Sequence, residues 1–234
     1  MTALSTAVLI SAGLDSVVLA AAEARTSRVH PIYVGAGLAW EAQERAALAQ
    51  LLARAPLAGH TASLACLSFT VTDLYPATHW ALRGEPPAFD TPDEDVYLAG
   101  RNVALLSKAA IYCARQGITR IALGPLAGNP FPDASAEFFA AMARALSLGL
   151  AHPIEVDTPF ASMEKSDVIR LGVELGVPLE LTLSCMNPRL RQGFGVQAQQ
   201  VEHCGRCSKC RERRDAFRDA AVTDRTAYAT APLR

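Results

Sequence analysis

Residues 8–20 read "VLISAGLDSVVLA". An apolar run reaches a corner of small residues, shows Ser11, Asp15 and Ser16, and turns apolar again. Five apolar-rich residues, "TAVLI" (6–10), have the length and β-branching of a buried strand. "LDSVVLAAAEAR" (14–25) has the length and composition of a helix. The polar corner therefore sits where a strand hands over to a helix. In an open parallel sheet that is where ligands bind, because helix N-termini and strand carboxyl ends face a common crevice. Free amide N–H groups and serine hydroxyls at a helix start suit a phosphate or pyrophosphate. The corner has neither the Gly-Lys-Ser/Thr ending of a P-loop nor the dinucleotide G-x-G-x-x-G. With no lysine in the loop, bound phosphate would depend on the helix dipole, on Mg and on basic residues elsewhere. A carboxylate beside phosphate makes sense if Asp15 holds Mg or caps the helix. The plain alternative is a strand–turn–helix with Ser11 or Asp15 as N-cap.

The same alternation continues outward. "VHPIYVGA" (29–36), "LACLSFTV" (64–71), "TRIALGPL" (119–126) and "HPIEVDTPF" (152–160) read as strands. "WEAQERAALAQLLARA" (40–55) reads as an amphipathic helix with its charges turned outward. "NVALLSKAAIYCARQG" (102–117) and "SAEFFAAMARALSLG" (135–149) read as helices that stop at glycine, and "KSDVIRLGVELG" (165–176) as one closed by Gly176 and Pro178. A Pro-, Asp- and Gly-rich loop fills 83–100. The pattern predicts an α/β fold: a doubly wound parallel sheet with helices on both faces. Residues 185–214 break the alternation, so the chain divides into a sheet domain (1–184) and a C-terminal segment packed on it (185–234).

With 22 basic and 23 acidic residues in 234, the net charge of −1 gives no field that would draw the chain onto nucleic acid or an anionic membrane. No apolar run approaches the ~18 residues of a membrane span. The apolar start lacks a basic flank and is interrupted by Asp15, unlike an export signal. The cytoplasm is the expected location.

Four of the six cysteines crowd the last quarter as Cys185-x18-Cys204-x2-Cys207-x2-Cys210. Four thiolates at that spacing can wrap one tetrahedral ion. A site filled by protein on all four sides is closed, so one zinc per chain would be structural. The C-x2-C-x2-C run also occurs in iron–sulfur ligation. Cys66 and Cys113 lie in apolar surroundings and read as inert core thiols. His79, His152 and His203 have no visible partner and read as surface or internally satisfied histidines. Arg206, Lys209, Arg211, Arg213, Arg214 and Arg218 are interleaved with Glu212, Asp215 and Asp219, which reads as a solvated helix face.

"SAGLDS" (11–16) resembles the SGGxDS loop of the PP-loop ATPases, which split ATP into AMP and pyrophosphate; Ala12 stands at the first glycine. "LTLSCMNP" (181–188) followed by "HCGRCSKCRERRDAF" (203–217) resembles the T-x-SC and CG-x-C-x-x-C-x-x-R patterns of the 7-cyano-7-deazaguanine synthases, within that group. "AGRN" (99–102) and "MEKSDVIRLGVELGVP" (163–178) are similar to further segments of these enzymes. So is "NPFPDASAEFFAAM" (129–142), where Phe131 replaces Tyr and Ala134-Ser135 replace Cys-Arg. The resemblance implies ATP-dependent ligation. 7-Carboxy-7-deazaguanine and ammonia become 7-cyano-7-deazaguanine through adenylated intermediates. It places Ser11, Ala12, Gly13, Leu14, Asp15 and Ser16 around the pyrophosphate, with Asp15 near Mg. It also implies that Lys165 neutralises phosphate, that Arg101 holds an anion, and that Asn102 and Asp133 contact the purine-like substrate. Read from sequence alone, Asp133 fits helix capping equally well. A homodimer is implied, with no nucleic-acid or membrane partner. The departures keep open a relative that activates another carboxylate, stops at the amide or conjugates a deazapurine. A tRNA thiolase carrying an iron–sulfur cluster, or an inactive nucleotide-binding module, would be the remoter alternatives.

Overall fold

The computed structural model describes residues 4–191 and 200–229. Residues 192–199 and 230–234, parts of the C-terminal segment, lie outside the described residues. Strand β1 (Ser5–Leu9) leads into helix α1 (Leu14–Glu23), followed by β2 (Arg28–Gly35) and α2 (Glu41–Leu52). Next come β3 (Ala65–Ser68), a short helix α3 (Trp80–Arg83) and α4 (Arg101–Gln116). The sheet domain continues with β4 (Arg120–Ala122), α5 (Ala136–Leu150), β5 (Glu155–Asp157) and α6 (Lys165–Glu174). A two-stranded antiparallel ribbon of β6 (Arg189–Arg191) and β7 (Gln200–Glu202) precedes α7 (Ser208–Asp219).

The five-stranded sheet has the order β3-β2-β1-β4-β5, with every pair parallel. Side chains alternate along β1: Val8 and Ile10 enter one core, Ala7 and Leu9 the other. The first core packs α1, α2, α6 and α7 through Val17, Val18, Leu48, Ile169 and Phe217. The second packs α4 and α5 through Leu106, Ala109, Cys113 and Phe139. Both faces are covered, and the sheet is doubly wound as the alternation predicts. No helix among the described residues is long and apolar enough to cross a membrane.

Several local expectations are corrected. Helix α4 does stop at Gly117, whose φ of +68° is the left-handed conformation a glycine adopts without a Cβ penalty. Helix α5 does not stop at Gly149. It runs to Leu150 and ends on Ala151 at φ +47°. Ser147 fixes that end: its carbonyl accepts from His152 N (3.3 Å) and its hydroxyl accepts from Ile154 N (2.9 Å). Cys66 is exposed, not a core thiol, because β3 is an edge strand whose alternate residues face outward. Cys113 is buried as expected, and burial pushes its thiol up to about 12. Helix α3 has no signal in the sequence pattern. His79 Nδ1 accepts from Ala81 N (3.3 Å), and Trp80 stacks on Trp40 with centroids 5.8 Å apart. His152 and His203 are likewise used internally, His152 Nε2 against the Ile118 carbonyl and His203 Nε2 accepting from Ser184 N.

At the opposite end of the sheet from the crevice, Arg120 bridges Glu23 and Asp157 and donates to Thr6 Oγ1 (2.9 Å). Glu23 is buried, so removing the guanidinium strands a carboxylate. Arg120→Ala is expected to lower the unfolding free energy by about 3 kcal/mol. Urea denaturation reads this directly, and a loss below about 1 kcal/mol would show that Glu23 finds water or another donor.

Candidate active site

The strand order reverses direction between β1 and β4, and a cavity of about 300 Å³ opens at their carboxyl ends. Ser11, Gly13, Asp15 and Ser16 line one end of it; Arg101, Asn102, Phe131 and Asp133 line another part of the same wall. At the loop, the Ser16 hydroxyl accepts from Ser11 N (3.2 Å) and donates to Gly13 O (3.0 Å), while Ser11 Oγ accepts from Gly13 N (3.1 Å). The hydroxyls hold the turn in shape. The amides of Leu14, Asp15 and Ser16, in the first turn of α1, have no intrahelical acceptor, so the helix start offers donors and a partial positive charge. Leu14 contributes its amide only, since its side chain is core.

Ala12 is fully buried, its methyl lies in the first core, and its φ is not positive. It does not line the cavity. The alanine therefore fits the loop without crowding a ligand; its carbonyl accepts from Leu183 N at 2.7 Å. Gly13 is the constrained position. A Cβ there would stand 3.0 Å from Ser11 Oγ, the atom that already accepts from Gly13 N. Gly13→Ala is expected to weaken ATP affinity by about 10-fold or more through displacement of that hydroxyl. Ala12→Gly should leave affinity within about 2-fold and cost stability only. Equilibrium binding of an ATP analogue to both variants checks the ordering.

Asp15 and Lys165 meet, although 150 residues separate them. Lys165 Nζ lies 3.3 Å from Asp15 Oδ2 and also bonds Glu212 on α7, whose other oxygen accepts from Lys209 Nζ (2.6 Å). The ammonium does not line the cavity itself; it stands behind Asp15, which does. Burial pushes the Asp15 carboxyl up, outweighing the pull of Lys165, and Asp15 Oδ1 is buried with no partner among the described residues. Burial alone would lower the Lys165 ammonium, but Asp15 and Glu212 hold it above its ordinary value. Burial would raise Glu212; Lys165 and Lys209 outweigh it and bring that carboxyl to about 2. Helix α7 is thus not a solvated face throughout. Glu212 belongs to this charge cluster, and Arg213 is buried, donating to Thr226 Oγ1, Thr182 Oγ1, Ser184 Oγ and the Leu179 carbonyl.

Elsewhere on the cavity wall, Asn102 N donates to Asp133 Oδ2 (3.0 Å) and Asn102 Nδ2 to the Asp133 carbonyl (2.8 Å). Asp133 caps α4 across the cavity wall, while Ser135 caps its own helix, α5. Arg101 Nε is buried without a partner among the described residues. Tyr97 and Phe131 stack at 5.1 Å and 26°, giving the cavity a flat apolar wall. Sequence reasoning missed Glu41 and Glu44, read as outward charges of α2. Both are buried and line the cavity. Glu41 accepts from Ala36 N, and Glu44 Oε2 accepts from Tyr33 OH (2.9 Å). Burial raises Glu44, with Arg101 and Tyr33 acting against it. A signal existed: positions 41, 44, 48 and 51 share one helix face with Leu48 and Leu51.

Cys185, Cys204, Cys207 and Cys210 converge, their sulfurs all within 4.8 Å of one another. Individual separations are 3.5 Å (207–210), 3.9 Å (204–210) and 4.0 Å (185–207). A tetrahedron with metal–sulfur bonds of about 2.3 Å has edges of about 3.8 Å, so the four thiols suit one ion. Backbone amides of Asn187 and Cys204 point at Cys185 Sγ (3.3 and 3.2 Å), as donors to a thiolate.

The family described as "Queuosine biosynthesis protein QueC" matches residues 5–221. A 7-cyano-7-deazaguanine synthase from Methanopyrus kandleri is 33% identical over 235 residues, covering 96% of this chain and 98% of the relative. One from Anaeromyxobacter dehalogenans is 33% identical over 233 residues, covering 95% and 94%. One from Caldicellulosiruptor bescii is 33% identical over 183 residues, covering 72% and 76%. The match spans the loop of residues 11–16, the cavity wall and all four cysteines, and the chain belongs to the QueC family.

Proposed function

We propose that this protein is an ATP-dependent 7-cyano-7-deazaguanine synthase. The observation that carries the reading is the single cavity that joins a helix start rich in free donors to a flat, partly charged wall, in a chain of the QueC family.

The chemistry needs no protein nucleophile. The substrate carboxylate attacks the α-phosphorus of ATP, the bond to the β-phosphate breaks and pyrophosphate leaves. Ammonia adds to the acyl carbon and AMP departs, giving the amide. A second ATP adenylates the amide oxygen; the nitrogen then loses its protons as AMP leaves, and the carbon–nitrogen bond becomes triple. What the protein must supply is position, charge and dryness. The first-turn amides of α1 and the Ser11–Ser16 turn hold the departing pyrophosphate. Lys165, behind Asp15, offsets its charge. Arg101 holds the substrate carboxylate through a guanidinium fork, and the Tyr97–Phe131 wall takes the planar ring. Asn102 and Asp133, locked to each other, shape the ring's edge. Mg, bound with ATP near Asp15, would supply further positive charge at the phosphates.

The four cysteines could hold one metal ion, and we propose that they bind zinc. It would be structural, pinning the segment from residue 185 onward to the ATP-binding domain of residues 1–184. The sulfur separations favour one ion over an iron–sulfur cluster, whose ligands must embrace several atoms. Incubation with ATP, Mg, ammonium and 7-carboxy-7-deazaguanine tests the function. Mass spectrometry should find the nitrile, with two AMP per product. Amide alone would assign a ligase that stops midway, and ATP left intact would remove the enzymatic reading.

A further inference from the structure

Lys165 is an unexpected neighbour for a helix that starts at the four-cysteine group. Cys207 is the N-cap of α7 and Cys210 lies in its first turn. Two residues on, Glu212 reaches across to α6 and bonds the Lys165 ammonium, whose other contact is Asp15 Oδ2 at 3.3 Å. Glu212 cannot drift, because Lys209 Nζ holds its second oxygen at 2.6 Å and the adjacent Arg213 is buried with four hydrogen bonds. A lone ammonium beside a lone carboxylate would collapse onto it and neutralise it. Shared between Asp15 and Glu212, Lys165 leaves Asp15 with one buried oxygen that has no partner among the described residues.

We infer that Glu212 is a positioning residue for ATP binding: it keeps Lys165 from closing down on Asp15, and so couples the nucleotide loop to the four-cysteine centre. The inference rests on the proposed reading of the loop as an ATP site. With a nucleotide bound beside Asp15, Lys165 would turn toward phosphate with Glu212 still anchoring it. Without Glu212 the same turn must first break an Asp15–Lys165 pair that has no competitor.

The test is a double-mutant cycle on binding of Mg·α,β-methylene-ATP, read by calorimetry, with metal content and melting temperature measured on each protein. Glu212→Gln should keep one metal per chain and lose about 10-fold in affinity. Lys165→Met should lose at least as much, and the double variant no more than Lys165→Met alone. Wild-type affinity in Glu212→Gln, or losses that multiply in the double variant, would overturn the inference while leaving the ATP reading intact. Failure of the wild-type protein to bind the analogue would instead remove the ATP reading itself, and this inference with it. If Glu212→Gln sheds its metal or does not fold, Glu212→Asp decides. It retains the charge but withdraws it by one methylene. A few-fold loss that vanishes in the Lys165→Met background supports the role, and unchanged affinity overturns it.

Discussion

Asp15→Asn is expected to cut pyrophosphate release by about 10²–10³-fold while the protein melts within a few degrees of wild type. The asparagine keeps the shape of the side chain and removes only its charge. Lys165 then still has Glu212, so no buried ammonium is stranded. What is lost is the negative charge of a side chain that lines the cavity and whose Oδ1 is buried with no partner among the described residues. In the proposed chemistry that carboxylate would help to hold Mg, whose charge would offset the departing pyrophosphate. A loss of this size corresponds to about 3–4 kcal/mol of transition-state stabilisation. Steady-state pyrophosphate release beside a thermal melt separates the two effects. A variant keeping more than about a tenth of the wild-type rate would show that Asp15 is a counter-ion for Lys165 and nothing more.

Cys207→Ser should release the metal and lower the melting temperature by about 10 °C or more. Cys207 Sγ lies 3.5 Å from Cys210 Sγ and 4.0 Å from Cys185 Sγ, and the residue also starts α7. Serine replaces a soft thiolate with a poor ligand and leaves three thiols facing one another in a dry site. Metal binding is coupled to folding where the ligands come from segments that nothing else holds together. Here Cys185 precedes the β6–β7 ribbon and the other three follow it. Elemental analysis should fall from about one ion per chain toward zero, with calorimetry reading the melt. An unchanged melt would mean that Arg213 and its four acceptors suffice to hold the segment.

The sheet was legible because its evidence is local. Period-two and longer apolar runs mark β1 to β5, and small residues mark the corner at 11–16. The cysteine spacing carried the metal site for the same reason. What escaped was tertiary. Glu212 sits among alternating charges three and four apart, the signature of a solvent-facing stripe, and only α6 packing beside α7 makes it a partner of Lys165, 47 residues away. Glu41 and Glu44 were hidden by the assumption that charge faces outward, although they share a face with Leu48 and Leu51. Asp133 was readable as a cap, but the helix it caps is α4, thirty-one residues upstream at Asn102, not the one that follows. Ala12 looked like a defect against its motif; its buried methyl makes it a packing residue.

The left-handed alanine that ends α5 has a practical corollary. Its methyl sits against the following carbonyl in a conformation that L-residues adopt at a cost of about 1–2 kcal/mol. Ala151→Gly removes that strain, less what glycine's looser denatured chain takes back. A gain of about 0.5–1 kcal/mol should appear in the melt of a protein whose chemistry is untouched. The sequence has left an unused margin of robustness at a helix end that does not line the cavity.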